Sequence, residues 1–185
     1  TGLAIESLLR EAGIPEAVFQ CVVGTRTAGA ALVSQSVDGV FFTGSYATGK
    51  RIAESVAPRM VKLQLELGGK DPAYVADDVD VAGAAAAVAD GAFYNTGQSC
   101  CAVERIYVHD TIWDAFVEAF VASVKGFVMG DPTRDDTYIG PLARRELAIR
   151  TLDEQVADAV QRGAKLLAGG KRGPGPGFFF EPTVL

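Results

Sequence analysis

Apolar positions recur along this chain at two different spacings, and the spacing changes from one segment to the next. Spacings of three and four residues predict helices, whereas a spacing of two, or a short unbroken apolar run, predicts strands. Helices are predicted over residues 2–11, 27–35, 46–56, 79–94, 111–127 and 144–162. Strands are predicted over residues 19–23, 40–42, 60–67, 72–76, 103–108 and 165–167. Strands that alternate with helices indicate an α/β fold with a parallel sheet and crossover helices.

Three further features of the pattern concern packing and domain organisation. The apolar stripe of residues 111–127 predicts a helix that faces the core. The pair Gly68-Gly69 follows the third predicted strand and predicts a domain boundary, with residues 1–68 in one domain and 69–185 in the next. Three consecutive phenylalanines at residues 178–180 predict that the end of the chain packs against other residues, because such a cluster would be unfavourable in water.

Composition excludes several classes of partner. The chain has 17 Lys and Arg against 23 Asp and Glu, and its longest basic run is the pair Arg144-Arg145, so we expect neither nucleic acid nor an anionic membrane surface as a partner. The longest apolar run, near residues 81–89, is too short to span a bilayer. The first residue is Thr1 rather than Met, and we therefore expect an internal piece of a longer protein.

The cysteines indicate the compartment. The chain has Cys21, in an apolar run, and the adjacent pair Cys100 and Cys101. This spacing predicts neither a disulfide framework nor a metal site, so a reducing, cytoplasmic location is expected. We interpret Cys21 as a core residue and Cys101 as structural.

A glycine turn follows the predicted strand at residues 40–42. Gly44 allows close approach of the backbone to a ligand, and Ser45 can cap the helix that begins there. Helix N-termini bind phosphate groups, although an ordinary capped helix start is the alternative for this segment alone.

Glu66 lies at the end of the predicted strand 60–67, between two leucines and before Gly68. Ligand sites of open parallel sheets lie at the carboxyl ends of strands. Partial desolvation between the leucines would raise the pKa of this carboxylate toward the range of a general base. A surface glutamate beside a glycine turn is the alternative.

Cys100 lies in a glycine-containing turn, N-T-G-Q-S-C-C, after the alanine-rich helix predicted at 79–94. A cysteine thiolate attacks carbonyl carbon, and neighbouring backbone N–H groups can stabilise the oxyanion that forms. For a single cysteine the alternative is an inert, buried side chain.

Taken together, these segments resemble the signature segments of the aldehyde dehydrogenase superfamily, in the same order. They are F-T-G-S at 42–45 with Gly49, E-L-G-G-K at 66–70, and G-Q-S-C at 97–100, with 34 residues between Glu66 and Cys100. Weaker agreement continues through G-D-P at 130–132, I-G-P-L at 139–142 and F-E-P-T at 180–183. The resemblance therefore extends over the whole chain.

The resemblance implies a fold and a set of roles. Residues 1–68 would be the C-terminal part of a Rossmann-like NAD(P)-binding domain, and 69–185 the N-terminal part of an α/β catalytic domain. Cys100 would be the nucleophile and Glu66 the general base. The residues expected to contact the NAD or NADP cofactor are Gly44, Ser45, Gly49, Leu67 and Gly68.

The same resemblance implies an activity and partners. The full-length protein would oxidise an aldehyde to a carboxylic acid through a thiohemiacetal and a thioester, and would form a homodimer or homotetramer. The oxyanion-hole asparagine and the residues that hold the riboses would lie outside Thr1–Leu185.

Three alternatives stay open. A coenzyme A-acylating aldehyde dehydrogenase would transfer the acyl group to a thiol, but such enzymes tend to lack the base found at Glu66. A thiol esterase would use Cys100 and Glu66 without NAD(P). A binding or structural protein that keeps the fold would need neither residue.

Overall fold

The structure is a computed structural model that describes residues 1–143 and 146–185, with side chains described for all of these except residues 146–148. It divides into two compact units, Thr1–Leu67 and Gly68–Leu185. The assignment of these units to a cofactor domain and a catalytic domain stays a prediction. Arg144 and Arg145, which begin the last predicted helix, lie outside the described residues.

The first unit contains a strand–helix–strand crossover. Its elements are α1 (Gly2–Glu11), α2 (Arg26–Ser34), β1 (Gly39–Gly44), α3 (Tyr46–Val56) and β2 (Lys62–Leu67), with a 3-10 turn at Ala57–Arg59. Strands β1 and β2 pair in parallel, as predicted from the alternation of strands and helices. The Arg59 guanidinium donates to the carbonyls of Val33 and Gln35 and so fixes the C-terminal end of α2.

The second unit repeats this arrangement with a larger core. Its elements are β3 (Asp71–Val75), α4 (Val81–Phe93), β4 (Val103–Val108), α5 (Trp113–Lys125) and α6 (Glu146–Gln161), with 3-10 turns at Tyr94–Gly97 and Asp110–Ile112. Strands β3 and β4 are parallel. Asp80 caps α4, because its carboxylate accepts a hydrogen bond from the Gly83 N–H.

The core of the second unit lies where α4 and α5 pack against β3 and β4. Ala85 and Ala89 of α4 are fully buried, and their small side chains leave room for the rings of Phe116 and Phe120. Those two rings stack with their centroids 5.7 Å apart. The core-facing stripe predicted for residues 111–127 is therefore confirmed, except that its first turn is a 3-10 turn.

The predicted strand at residues 19–23 is wrong. A strand needs a hydrogen-bonded neighbour, and none of the described residues forms a ladder with this run. Val22 and Val23 are 56% and 75% exposed, and the backbone N–H of Cys21 donates instead to the Glu6 carboxylate, 3.2 Å away. Cys21 is half-buried, so its interpretation as a core residue is also wrong.

Two other strand predictions need smaller corrections. The strand predicted at 165–167 is absent, and the neighbouring Ala168 forms only a single antiparallel bridge with Val184. The strand predicted at 60–67 begins only at Lys62, since Met60 adopts a left-handed backbone with φ 54°.

The phenylalanine cluster near the end of the chain packs as predicted. Phe179 and Phe180 are buried, and Phe180 forms an antiparallel bridge with Arg172. Phe178 is 38% exposed. Among the described residues, no helix has both the length and the apolar character needed to cross a bilayer.

Candidate active site

The carboxyl ends of β1 and β2 lie side by side at one edge of the first unit's sheet. The strand register places Thr43 beside Glu66 and Gly44 beside Leu67. This is the edge at which open parallel sheets bind their ligands. The fold therefore brings together three of the predicted site residues, although 22 residues separate Gly44 from Glu66 in sequence.

Helix α3 begins at the same edge. Ser45 is its N-cap, and the Ser45 hydroxyl accepts from the Thr48 N–H at 3.4 Å and donates to the Thr48 hydroxyl at 3.0 Å. The Ser45 carbonyl accepts the N–H groups of Thr48 and Gly49, at 3.0 and 2.9 Å. The N–H groups of Tyr46 and Ala47, in the first turn, have no acceptor within the helix. Such a helix start fits a phosphate group.

Gly49 allows α3 to pack directly on the end of β2. Gly49 is buried, and a Cβ added there would lie 2.8 Å from Leu67 Cδ2. Any side chain at this position would displace the Leu67 side chain, which is predicted to lie near the nicotinamide. The absence of a side chain at Gly49 therefore determines where the Leu67 side chain lies.

Glu66 is exposed, so the desolvation predicted from its two leucine neighbours is wrong. Successive side chains of a strand point to opposite faces, so Leu65 and Leu67 lie on the other face from the carboxylate. On its own face, Glu66 accepts a hydrogen bond of 2.8 Å from the side-chain amide of Gln64. The carboxylate is open to water, which a base that activates water requires.

Cys100 lies in a tight turn of the second unit, between α4 and β4. The Ala102 N–H donates to the Ser99 carbonyl at 3.3 Å, so Cys100 and Cys101 occupy the two central positions of the turn. Both cysteines are exposed and free. The Cys100 thiol is accessible, as a nucleophile must be, and the alternative of an inert buried thiol does not apply to it.

The two glycines before β3 differ in their surroundings. A Cβ on Gly68 would meet open space, so nothing around this position requires glycine. A Cβ on Gly69 would lie 2.8 Å from the Asp71 carboxylate and 3.5 Å from the Cys100 carbonyl oxygen. Gly69 is therefore the glycine that permits close approach to the Cys100 turn. Of these two glycines, only Gly68 was predicted from the sequence to contact the cofactor.

Long-range hydrogen bonds hold the residues before Cys100. Thr96 and Gly140 form two bonds, and the Gln98 side chain accepts from the Ala143 N–H. Thr96 and Gln98 were not among the site residues predicted from the sequence. The weak I-G-P-L match at 139–142 was the one signal that pointed to the segment that they contact.

Cys101 has more polar surroundings than its interpretation as a structural residue implied. The hydroxyl oxygens of Tyr94 and Ser99 lie 3.1 and 3.4 Å from the Cys101 sulfur. Hydrogen bonding from Ser99, and then from Tyr94, lowers the pKa of the Cys101 thiol below its ordinary value. The turn thus presents two exposed thiols rather than one.

A match over the whole length of the chain shows its family. The profile of the Aldehyde dehydrogenase family matches residues 1–185. The chain belongs to the aldehyde dehydrogenase family. The resemblance carried by the F-T-G-S, E-L-G-G-K and G-Q-S-C segments is thereby confirmed.

Relatives and solved structures agree with this membership. The chain is 40% identical over 187 residues to a mitochondrial succinate-semialdehyde dehydrogenase of Arabidopsis thaliana, and 39% identical over 186 residues to a succinate-semialdehyde dehydrogenase [NADP(+)] of Deinococcus radiodurans. Each match covers all of this chain but only 35% and 39% of the relative.

A crystal structure of an NAD-dependent aldehyde dehydrogenase from Sinorhizobium meliloti superposes with a TM-score of 0.92 at 36% identity, over 97% of this chain and 36% of that chain. The predicted α/β, aldehyde dehydrogenase-like fold is therefore confirmed. Glu66 belongs to the first unit and Cys100 to the second, so their roles as base and nucleophile stay predictions.

Proposed function

We propose that this chain carries the nucleophile, Cys100, and the general base, Glu66, of an enzyme that oxidises an aldehyde to a carboxylic acid with NAD(P)+. The exposed thiol of Cys100 in its tight turn is the observation that supports this most directly. Because this thiol is exposed, an aldehyde can reach the Cys100 sulfur without a change in the backbone.

The reaction follows from the chemistry of the two side chains. The Cys100 thiolate adds to the aldehyde carbon, which forms a C–S bond and an oxyanion. When bound, NAD(P)+ accepts the hydride that leaves this carbon. The remaining thioester holds the acyl group on Cys100. Glu66 takes a proton from water, the hydroxide adds to the thioester, and the C–S bond breaks to return the thiolate and release the acid.

The cofactor would bind at the carboxyl edge of β1 and β2. The free N–H groups at the start of α3, beside Gly44 and Ser45, suit a phosphate oxygen. Gly49 and Leu67 would border the nicotinamide end, and Gly68 would follow them. One relative has NADP(+) in its name and one similar solved structure is described as NAD-dependent, which supports a nicotinamide cofactor of either kind.

We propose that the chain acts within a longer polypeptide, because it spans only 35–39% of the curated relatives named above. An aldehyde would be its small-molecule partner, and a homodimer or homotetramer its assembled state. A reducing, cytoplasmic location suits its three free thiols, although the Arabidopsis relative is mitochondrial by name.

The test is NAD(P)H formation by the full-length protein on a panel of aldehydes that includes succinate semialdehyde. We expect Cys100→Ala to abolish cofactor reduction while Cys21→Ala, which removes the thiol of the other unit, keeps it. Cofactor reduction that survives Cys100→Ala would overturn the assignment. Product analysis with and without coenzyme A separates hydrolysis from acyl transfer, and ester hydrolysis without NAD(P)+ would indicate the esterase.

A second expectation concerns the 185 residues alone. Because the implied oxyanion and ribose-binding residues lie outside this chain, the isolated polypeptide should neither bind cofactor tightly nor turn over. Aldehyde-dependent NAD(P)H formation by the isolated 185 residues would contradict this expectation.

A further inference from the structure

Three consecutive residues before the Cys100 turn adopt left-handed backbone. Their φ angles are 51° at Asn95, 60° at Thr96 and 68° at Gly97. Glycine tolerates this conformation and asparagine adopts it more often than most residues, but a β-branched residue is an outlier there. Strained residues of this kind persist only where the surrounding structure holds them, and they cluster at functional sites.

The Thr96 side chain provides one such restraint. Its hydroxyl accepts a hydrogen bond from the Gly140 N–H at 3.1 Å and donates to the Gly140 carbonyl at 3.4 Å. These contacts span 44 residues and are partly buried. One hydroxyl therefore satisfies both backbone groups of Gly140, which explains a threonine at a position whose backbone disfavours it.

The Gln98 side chain provides the second restraint. Its amide oxygen accepts from the Ala143 N–H at 2.8 Å, and its amide nitrogen donates to the Asn95 carbonyl at 3.4 Å. Asn95 returns the contact, because its side-chain amide donates to the Gln98 carbonyl at 3.2 Å. Gln98 is two residues from Cys100, so it joins the strained backbone to the nucleophile turn.

The segment that receives both contacts, residues 139–143, is itself fixed. Ile139 is only 1% exposed, and its N–H donates to the Val128 carbonyl at 2.9 Å. The Leu142 N–H donates to the Phe178 carbonyl at 2.8 Å. Backbone hydrogen bonds therefore anchor the segment at Ile139 and at Leu142, and the Cys100 turn is held against it.

We propose that Thr96 and Gln98 are positioning residues, which hold the Cys100 turn in its reactive geometry by anchoring it to residues 139–143. This inference rests on the proposed function, because it matters for catalysis only if Cys100 is the nucleophile. This role requires no contact between either residue and the substrate. Their contribution is to keep the thiol where it meets the carbonyl carbon, and small displacements of a reacting group are costly in rate.

The first experiment compares Thr96→Val with Thr96→Ser in the full-length protein. Valine keeps the shape and removes the hydroxyl, whereas serine keeps the hydroxyl and removes the β-methyl group. We measure the pre-steady-state burst of NAD(P)H, the Kd of the cofactor and the thermal midpoint. Thr96→Val should lower the burst rate about ten- to a hundredfold with an unchanged cofactor Kd, and Thr96→Ser should retain most of the wild-type rate.

The second experiment removes the hydrogen bond between the Ala143 N–H and the Gln98 side chain from either partner. Gln98→Leu removes the acceptor, and Ala143→Pro removes the donor N–H without altering the nucleophile loop. If the contact positions Cys100, the double variant should lose no more burst rate than the worse single variant, because both changes remove one interaction. This pair keeps the inference testable if Thr96→Val does not fold.

The outcomes separate the inference from the function on which it rests. A wild-type burst that Cys100→Ala abolishes, together with folded Thr96→Val and Gln98→Leu variants whose burst rates stay within about twofold of wild type, would overturn the positioning role and leave the function intact. Equal losses in Thr96→Val and Thr96→Ser would also overturn it, because the hydroxyl would then be irrelevant. A wild-type protein without Cys100-dependent formation of NAD(P)H would overturn the function and this inference with it.

Discussion

The predicted site residues of the first unit and those of the second unit are held in place in different ways. Gly44, Ser45 and Glu66 lie at the ends of regular elements, where a parallel ladder and a capped helix determine their positions. Cys100 lies in an irregular loop whose strained backbone is held by side-chain contacts to residues about 45 positions away. Local structure determines the positions of the residues in the first unit, whereas tertiary contacts within the second unit determine the position of Cys100.

This difference predicts different responses to substitution. Many backbone hydrogen bonds hold the carboxyl edge of β1 and β2 and the start of α3. The loss of one side chain there should remove that side chain's chemistry and little else. A loop held by a few side-chain bonds should lose geometry when one of them is removed. The predictions below test that distinction, from the largest expected effect to the smallest.

The largest effect is expected from Glu66→Gln. Loss of the base should stop hydrolysis of the thioester while leaving its formation intact, so steady-state turnover should fall by about 10²–10⁴-fold with a preserved burst of NAD(P)H. Stopped-flow absorbance of the full-length protein measures both phases. Glu54→Gln, an exposed glutamate of α3 that pairs with Lys50, is the matched control and should change neither phase. Loss of the burst in Glu66→Gln would show that Glu66 is also needed for acylation of the nucleophile.

The next largest effect is expected from Gly49→Ala. The added methyl group would lie 2.8 Å from Leu67 Cδ2, so the side chain must shift, at a cost of about 1–3 kcal/mol of stability. Gly29→Ala is the matched control, since it lies inside α2 with open space around its Cβ, and should stabilise the protein by about 0.5–1 kcal/mol. Denaturant titration distinguishes the two. A Gly49→Ala variant as stable as Gly29→Ala would show that Leu67 adapts freely.

A smaller effect is expected from Ser45→Ala. Loss of the N-cap should destabilise α3 by about 0.5–2 kcal/mol, and cofactor affinity should fall modestly because the helix start frays. Isothermal titration of NAD(P)+ and denaturant unfolding measure the two effects. Ser36→Ala, an exposed serine between α2 and β1, serves as the control. An unchanged stability would mean that the 3.4 Å contact to the Thr48 N–H contributes nothing.

The smallest effect is expected from Ser99→Ala, and it concerns pH. Hydrogen bonding from Ser99 lowers the pKa of Cys101, so its removal should raise that pKa, reduce the thiolate fraction at a given pH and shift alkylation of Cys101 to higher pH. Mass spectrometry after timed iodoacetamide treatment follows each thiol. Ser123→Ala, in α5, is the control. A Cys101 profile that does not move would show that Tyr94 alone supports the thiolate.

Much of the fold could be predicted from the sequence, because hydrophobic spacing reports which face of an element is buried. The bounds of α1, α3 and β4 match their predictions, since helix stops, a serine cap and strand alternation are local signals. The predicted strand at 19–23 failed because an apolar run shows only a tendency, and a strand exists only where another strand pairs with it. The strand predicted at 165–167 failed for the same reason, since only the neighbouring Ala168 forms a bridge.

The features of the candidate site also divide into those that could be predicted from the sequence and those that could not. Cys100, Glu66 and Gly44 could be singled out from the sequence, because their residue types and spacing carry the chemistry and the family pattern. The exposure of Glu66 was only an alternative at the level of the sequence. The role of Gly69 and the polar surroundings of Cys101 could not be predicted, since each depends on which side chains meet in space.

The sequence by itself determined most of the elements, the family and the candidate reacting groups, because these depend on local propensity and on the chemistry of single residues. Only the tertiary structure decided how Gly44 lies beside Leu67, and how Thr96 and Gln98 reach Gly140 and Ala143. Such contacts join residues that are far apart in the chain. No local pattern encodes them, and only the folded backbone brings their atoms within hydrogen-bonding distance.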